Sequence, residues 1–190
     1  MSNSPAASSS SRITFAYLTY RNIGTVRKLN SVLFPIKYSD KFYQDILATE
    51  VEDFCQLVYY NDVPVGIICC RLENKDLYLM TMGVLAVSYP AVNRGKYTDH
   101  YKPYRSRQLG SETLKRIIKA AASHSKPKIR RIYLHVQTSN TEAKKFYEKN
   151  GFKEVGIKED YYKKIVPRDA WILERVIDSE GKQDQEQPQA

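Results

Sequence analysis

The chain has 190 residues, with 30 Lys and Arg against 21 Asp and Glu, and three cysteines. That length fits one domain able to bury its own core, and the odd cysteine number, with Cys69 and Cys70 adjacent and Cys55 apart, argues against a disulfide framework or a zinc site and for a reducing compartment. The formal charge of +9 favours acidic partners such as RNA, an anionic surface or a phosphorylated cofactor, without choosing among them.

The stretch to Ser11 is small and polar, so it reads as disordered and not as a signal peptide. Ile13 to Tyr20 alternates and is β-rich, which predicts a first strand. Ile23, Val26, Leu29 and Leu33 recur at helical spacing, and Phe34-Pro35 stops that helix. Ser39 suits the cap of a second helix carrying Phe42, Ile46 and Leu47. Gln56–Tyr60 and Val65–Leu72 read as strands joined at Asn61-Asp62, a hairpin signal. After the turn Asn74-Lys75-Asp76, Leu77–Leu85 reads as another strand.

Residues 86–104 are polar, rich in Tyr and Pro and without period, so they read as a loop. A long helix is expected from about Arg107 to Ser123, with Leu109, Leu114, Ile117, Ile118 and Ala121 on its apolar stripe. Ile129–Val136 predicts a strand, Asn140–Asn150 a helix stopped by Gly151, and Phe152–Val155 and Ala170–Ile177 the last strands. The tail from Ser179 is rich in Gln, Asp and Glu and reads as disordered. The expected class is mixed α/β: an antiparallel meander leading into a βαβ unit. The three cysteines read as buried thiols in strands.

Three pieces of this pattern, Leu77–Leu85, Arg105–Gly110 and Ile132–Phe152, resemble the GNAT superfamily. The first looks like its fourth strand, the second like its CoA signature, Arg/Gln-x-x-Gly-x-Gly/Ala, and the third like its fifth strand and following helix. Leu33–Tyr38, Tyr78–Thr81 and Tyr161–Ile165 further resemble the NatE-type N-terminal acetyltransferases, which favour chains retaining their initiator methionine. The resemblance covers about residues 12–177 and implies a mostly antiparallel sheet of about seven strands flanked by four helices.

The resemblance implies acetyl-CoA as cosubstrate and no metal. Arg105, Ser106, Arg107, Gln108, Leu109, Gly110 and Ser111 would hold its pyrophosphate. The physics of that site stands apart from the name: a helix start offers unpaired N–H groups and a positive dipole end. Gln108 departs from the signature, standing where its first glycine is usual. Either the backbone still binds phosphate with Gln108 turned outward, or the side chain crowds the site. Relative to the family, residues 86–103 are an insertion carrying Arg94, Lys96, His100 and Lys102, read either as a flap or partner-binding element or as a tolerated surface loop.

By alternation His135 shares a strand face with Tyr133, opposite Ile132, Leu134 and Val136. A lone strand histidine is commonly structural; the resemblance makes His135 the general base, with Tyr78 beside it and an ordered water between base and amine. It makes Tyr147 the acid for the departing thiolate and gives Asn140, seven residues earlier, a CoA contact. Met82 would offer a backbone N–H to the oxyanion, with Val84 nearby along the same strand. The peptide pocket would be Phe34, Pro35, Ile36, Tyr38 and Met80 with Tyr161, Tyr162 and Ile165, walls that suit a methionine side chain. Lys115, Arg116, Lys119, Lys126, Lys128, Arg130 and Arg131 form a basic group, read as a solvated face or as a contact for ribosomal RNA.

A NatA-type complex is the implied protein partner, a cytoplasmic or nuclear location is expected, and no membrane contact is. Acetylation of lysine or another amine, and an inactive GNAT scaffold that binds a partner, stay open beside N-terminal acetylation.

Overall fold

The computed structural model describes residues 12–85, 91–93, 96–98 and 108–177. Its elements run β1 (Ile13–Tyr17), α1 (Ile23–Leu33), α2 (Asp40–Asp45), a 3-10 helix (Thr49–Phe54), β2 (Gln56–Tyr60), β3 (Val63–Glu73), β4 (Asp76–Val84), β5 (Ala91–Asn93), β6 (Lys96–Thr98), α3 (Leu109–Ser123), β7 (Arg131–Gln137), α4 (Thr141–Lys149), β8 (Lys153–Lys158) and β9 (Ala170–Val176). Seven strands form one sheet in the order β1-β2-β3-β4-β7-β9-β8. The β4–β7 pair is parallel, and β1–β2, β2–β3, β7–β9 and β8–β9 are antiparallel. The fold class is therefore as expected. The stretch read as a loop is not wholly one: β5 and β6 pair as a two-stranded hairpin inside it. Three-residue strands give too short a run for alternation to show. Among the described residues no helix is long and apolar enough to cross a membrane.

The contacts group into two compact units, Met1–Cys70 with Met80–Thr113, and Arg71–Leu79 with Leu114–Ala190. In the first, Val58, Tyr60, Val65 and Leu109 form a buried cluster against which Ile13, Phe15 and Val84 pack. Ser39 accepts from the Phe42 N–H at 3.3 Å and so caps α2 as its residue type predicts. The α1 helix stops at Phe34, whose N–H bonds the Asn30 carbonyl at 3.0 Å. A Cβ on Gly83 would meet the Phe34 ring at 3.1 Å, so glycine there lets β4 lie close under the end of α1. The three thiols are buried and free, and burial pushes those of Cys69 and Cys70 well above the ordinary range. Inert core sulfurs are what their strand positions imply.

In the second unit β7 is the organising strand. Ile132, Leu134 and Val136 are buried, while Arg131, Tyr133, His135 and Gln137 alternate with them on a partly open face. The α4 helix lies against β8 and β9 on the buried side. Lys144 pairs with Glu154 at 2.7 Å and sits 4.8 Å over the Trp171 ring, and Arg175 donates to the Asn150 carbonyl at 2.6 Å. Gly151 ends the helix at φ +83°, a conformation open to residues without Cβ.

Candidate active site

The β4–β7 ladder is three residues long: Asp76↔Arg131, Leu77↔Ile132 and Tyr78↔Tyr133. Its first pair is ionic and its last aromatic. Asp76 takes Arg130 Nη2 at 2.9 Å and Arg131 Nε at 2.9 Å, and Arg131 also reaches Glu174 at 2.5 Å. This cluster fixes the register that places Tyr78 beside Tyr133, with ring centroids 4.9 Å apart. His135, two residues further along β7, stands edge-on to Tyr78 at 5.6 Å.

The segment between β8 and β9 closes over that face. Tyr161 stacks on the His135 imidazole at 4.2 Å and 8°, and its hydroxyl meets the Tyr78 hydroxyl at 2.5 Å. Several bonds hold the segment in place. Asp160 adopts φ +52° with its N–H on Asp169 Oδ1 at 2.9 Å, the Tyr162 N–H bonds the Arg168 carbonyl at 2.8 Å, and Gln137 donates to the Pro167 carbonyl at 2.8 Å. Lys163 and Arg168 both pair with Asp160, at 2.6 and 2.7 Å. Tyr162 stands edge-on to Tyr161 at 4.9 Å.

The electrostatics divide the roles. Burial, reinforced by the Tyr161 hydroxyl, pushes Tyr78 far above the ordinary phenol range, so Tyr78 keeps its proton and can position but not accept. Tyr133 is driven up by burial and by the Glu73 carboxylate that its hydroxyl bonds. Tyr162 is raised to about 12, mainly by burial and then by Tyr161. His135 moves the other way: burial lowers it below its usual 6.5, Lys158 lowers it further, and Glu73 opposes both. Its Nδ1 is buried and has no hydrogen-bond partner among the described residues. A neutral imidazole with an uncommitted nitrogen, beside phenols that hold their protons, can accept a proton in a half-dry setting.

Comparison with known proteins gives the family. The acetyltransferase (GNAT) family model matches residues 23–152. N-alpha-acetyltransferase 50 of Danio rerio is 38% identical over 172 residues, covering 88% of this chain and 90% of that one. The probable N-acetyltransferase san of Drosophila melanogaster is 38% identical over 171 residues, covering 88% and 82%. Among solved structures, Arabidopsis thaliana Naa50 in complex with the bisubstrate analogue CoA-Ac-MVNAL superposes with a TM-score of 0.72 at 36% identity, over 86% of this chain and 97% of that one. The chain belongs to the GNAT acetyltransferase family.

On this GNAT fold the expected site residues fall into separate groups. Tyr78, His135, Tyr161 and Tyr162 come together in the second unit as described. Ile165 is half-buried in the same segment. Tyr147 is buried in α4, edge-on to Phe146 at 5.1 Å and to Phe152 at 5.5 Å. Asn140 is exposed and caps α4, its Oδ1 accepting from the Ala143 N–H at 3.1 Å. That bond gives Asn140 a helix-capping role whatever else it does.

In the first unit, Phe34 and Tyr38 meet edge-on at 6.1 Å, and Tyr38 stacks on Phe42 at 4.3 Å. Pro35 and Ile36 are exposed beside them. Met80, Met82 and Val84 lie on β4 beyond its pairing with β7, partly buried. Gln108 is exposed at φ +60°, with its carbonyl bonded to the Glu112 N–H at 2.9 Å. It takes the left-handed backbone that the signature's glycine would take at no steric cost. Leu109, Gly110 and Ser111 open α3 behind it. Arg105, Ser106 and Arg107, with Arg94, His100 and Lys102 of the insertion, lie outside the described residues.

Three groups went unread in the sequence. Arg71, Glu73 and Lys158 all act on the site, yet Glu73 meets Tyr133 across 60 positions, a pairing no local pattern signals. Of the basic group, Arg130 and Arg131 are committed to Asp76, whereas Lys119, Lys126 and Lys128 are exposed.

Proposed function

We propose that this chain transfers the acetyl group of acetyl-CoA to the α-amine of protein N-termini, preferring Met followed by a hydrophobic residue. The single observation that carries the reaction is the neutral His135 with its open Nδ1 between Tyr78 and Tyr161. The identity of 38% to an N-alpha-acetyltransferase, spread over 88% of the chain, supports the amine being an N-terminus. The peptide part of the Naa50 analogue begins with methionine, which supports the preference, as do the apolar Phe34, Ile36 and Met80.

The chemistry asks for a proton acceptor, an oxyanion partner and a proton donor. An α-amine has a pKa near about 8, so a mild base suffices. His135 takes the proton, directly or through a water, as the amine nitrogen attacks the thioester carbon. Tyr78 and Tyr161, both hydroxyl-bearing and joined at 2.5 Å, orient the amine and that water. The Met82 N–H, on the stretch of β4 past its last rung with β7, steadies the oxyanion. The C–S bond then breaks and Tyr147 protonates the thiolate. The residues that open α3 suit the pyrophosphate: Leu109, Gly110 and Ser111 begin a 15-residue helix, and Gln108 before them is exposed.

The test is a panel of peptides starting Met-Leu, Met-Lys, Ser and Ala, together with one whose α-amine is blocked and which carries an internal lysine. The reading expects highest kcat/KM for Met-Leu and no product from the blocked peptide. Equal or faster lysine acetylation would favour the other amine class. The exposed Lys119, Lys126 and Lys128 support a further contact with ribosomal RNA. Loss of ribosome co-sedimentation on changing all three to Glu tests it, and retention would refute it.

A further inference from the structure

A second set of charges surrounds the site. Glu73 ends β3; its Oε2 accepts from the Tyr133 hydroxyl and its Oε1 from Arg71, whose Nε lies at 2.9 Å. Arg71 in turn sits 5.3 Å over the Tyr78 ring, and Tyr133 is edge-on to His135 at 6.2 Å. On the other flank, the β8–β9–β7 register places Lys158 opposite Ala170 and Ala170 opposite Gln137, while His135 faces Ile172. Lys158 is therefore on the His135 face of the sheet, two strands over.

The charged and titratable groups that face His135 are Arg71 and Glu73 from β3, Tyr78 from β4, Arg131 and Tyr133 from β7, Glu174 from β9, Lys158 from β8, and Tyr161 and Tyr162 from the closing segment. Arg131 and Glu174 neutralise one another at 2.5 Å. Glu73 and Lys158 are the groups of opposite sign that bear on the imidazole.

We propose that Glu73 is a positioning residue of the acetyl-transfer site: bound to Tyr133 and Arg71, it holds the Tyr133–Tyr78 ring pair beside His135 and supplies the negative charge that opposes Lys158 across the imidazole. The inference rests on His135 being the base. Removing the carboxylate charge does two things at once. The Tyr133 hydroxyl loses its charged acceptor and Arg71 is left without its counter-ion, so the Tyr78 ring loses a clamp. The imidazole also faces two cations with no anion between them, which disfavours its protonated form. Removing Lys158 does the reverse.

The test is kcat against pH at saturating acetyl-CoA and Met-Leu peptide for wild type, Glu73→Gln, Glu73→Asp, Lys158→Gln and His135→Ala. Titration of the substrate amine is common to all and drops out of the differences. Glu73→Gln is expected to lower kcat about tenfold with KM for acetyl-CoA unchanged, a loss of the size expected for misplaced catalytic groups. It should also move the acid limb to lower pH, Glu73→Asp should restore part of both, and Lys158→Gln should move the limb to higher pH. An acid limb that stays or rises in Glu73→Gln, or no recovery with aspartate, overturns the proposal. If Glu73→Gln does not fold, Tyr133→Phe keeps the carboxylate and removes its anchor: a kcat lowered severalfold supports the proposal and an unchanged one overturns it. Should the limb that remains beyond the common amine titration survive in His135→Ala, the base assignment fails and this proposal with it. If the limb vanishes there but Glu73→Gln leaves it in place, only the role of Glu73 fails.

Discussion

The two ends of one short ladder were built for different purposes. At the Asp76↔Arg131 end, every charge is matched: a carboxylate with a side chain only 10% exposed holds two guanidiniums, and Glu174 takes the remaining side of Arg131. Two rungs on, at Tyr78↔Tyr133, no full charge lies on the ladder, and the neighbouring His135 keeps a buried nitrogen without a partner among the described residues. A buried ionic knot is poor at adding net stability but costly to break, so it serves register. An unpartnered buried nitrogen costs free energy; Asn30 and Thr81 carry such buried atoms too, so what singles out His135 is its place between Tyr78 and Tyr161. The knot sets where Tyr78 stands, beside the open nitrogen to which the proposed reaction gives the base role.

Breaking the aromatic end should cost activity and spare the fold. His135→Ala is expected to lower kcat at least about 100-fold, the scale of a lost general base, with KM for acetyl-CoA and the thermal midpoint little changed. Breaking the ionic end should do the opposite. Asp76→Ala is expected to cost about 2 kcal/mol of stability, less than a fully buried pair because both arginines can reach water. Urea unfolding would show it, while kcat per folded molecule stays within about threefold; a large fall in kcat with stability intact would undo the distinction between the ends.

Smaller changes sharpen it. Tyr161→Phe keeps the ring stacked on His135 and removes the hydroxyl that meets Tyr78. It should raise the peptide KM about fivefold, near the worth of one hydrogen bond, and steady-state kinetics would check this. Gln108→Gly relieves a left-handed backbone but adds unfolded-state freedom, so the net gain should be about 0.5 kcal/mol in a thermal or urea melt. Its KM for acetyl-CoA reports whether the outward glutamine matters to phosphate at all.

What could be read from the sequence was what is local. The Ser39 cap, the stop of α1 at Phe34, the alternation of β7 and the turn at Gly151 each rest on residues within a few positions of one another, and each is where the pattern puts it. The face shared by Tyr133 and His135 followed from period two. The 3-10 helix at Thr49–Phe54 was missed because three-residue turns leave no hydrophobic period, and the hairpin at Ala91–Thr98 because its strands are too short. Stacking of Tyr161 on His135, and the bond from Tyr133 to Glu73, join distant segments through the sheet. Family resemblance named Tyr161 for the peptide pocket and His135 for the base without pairing them; nothing in the chain pointed to the bond from Tyr133 to Glu73.

The most direct test of the central claim is the pH dependence of kcat at saturating acetyl-CoA and Met-Leu peptide. His135 sits below its usual 6.5 because it is buried and close to Lys158, and only its neutral form can take the proton. Taken as a ratio to His135→Ala, whose profile carries the same substrate-amine titration, the rate is therefore expected to hold as pH falls through 6.5 and to be lost only at lower pH. A limb in that ratio centred above 6.5, or a ratio flat with pH, would contradict the claim.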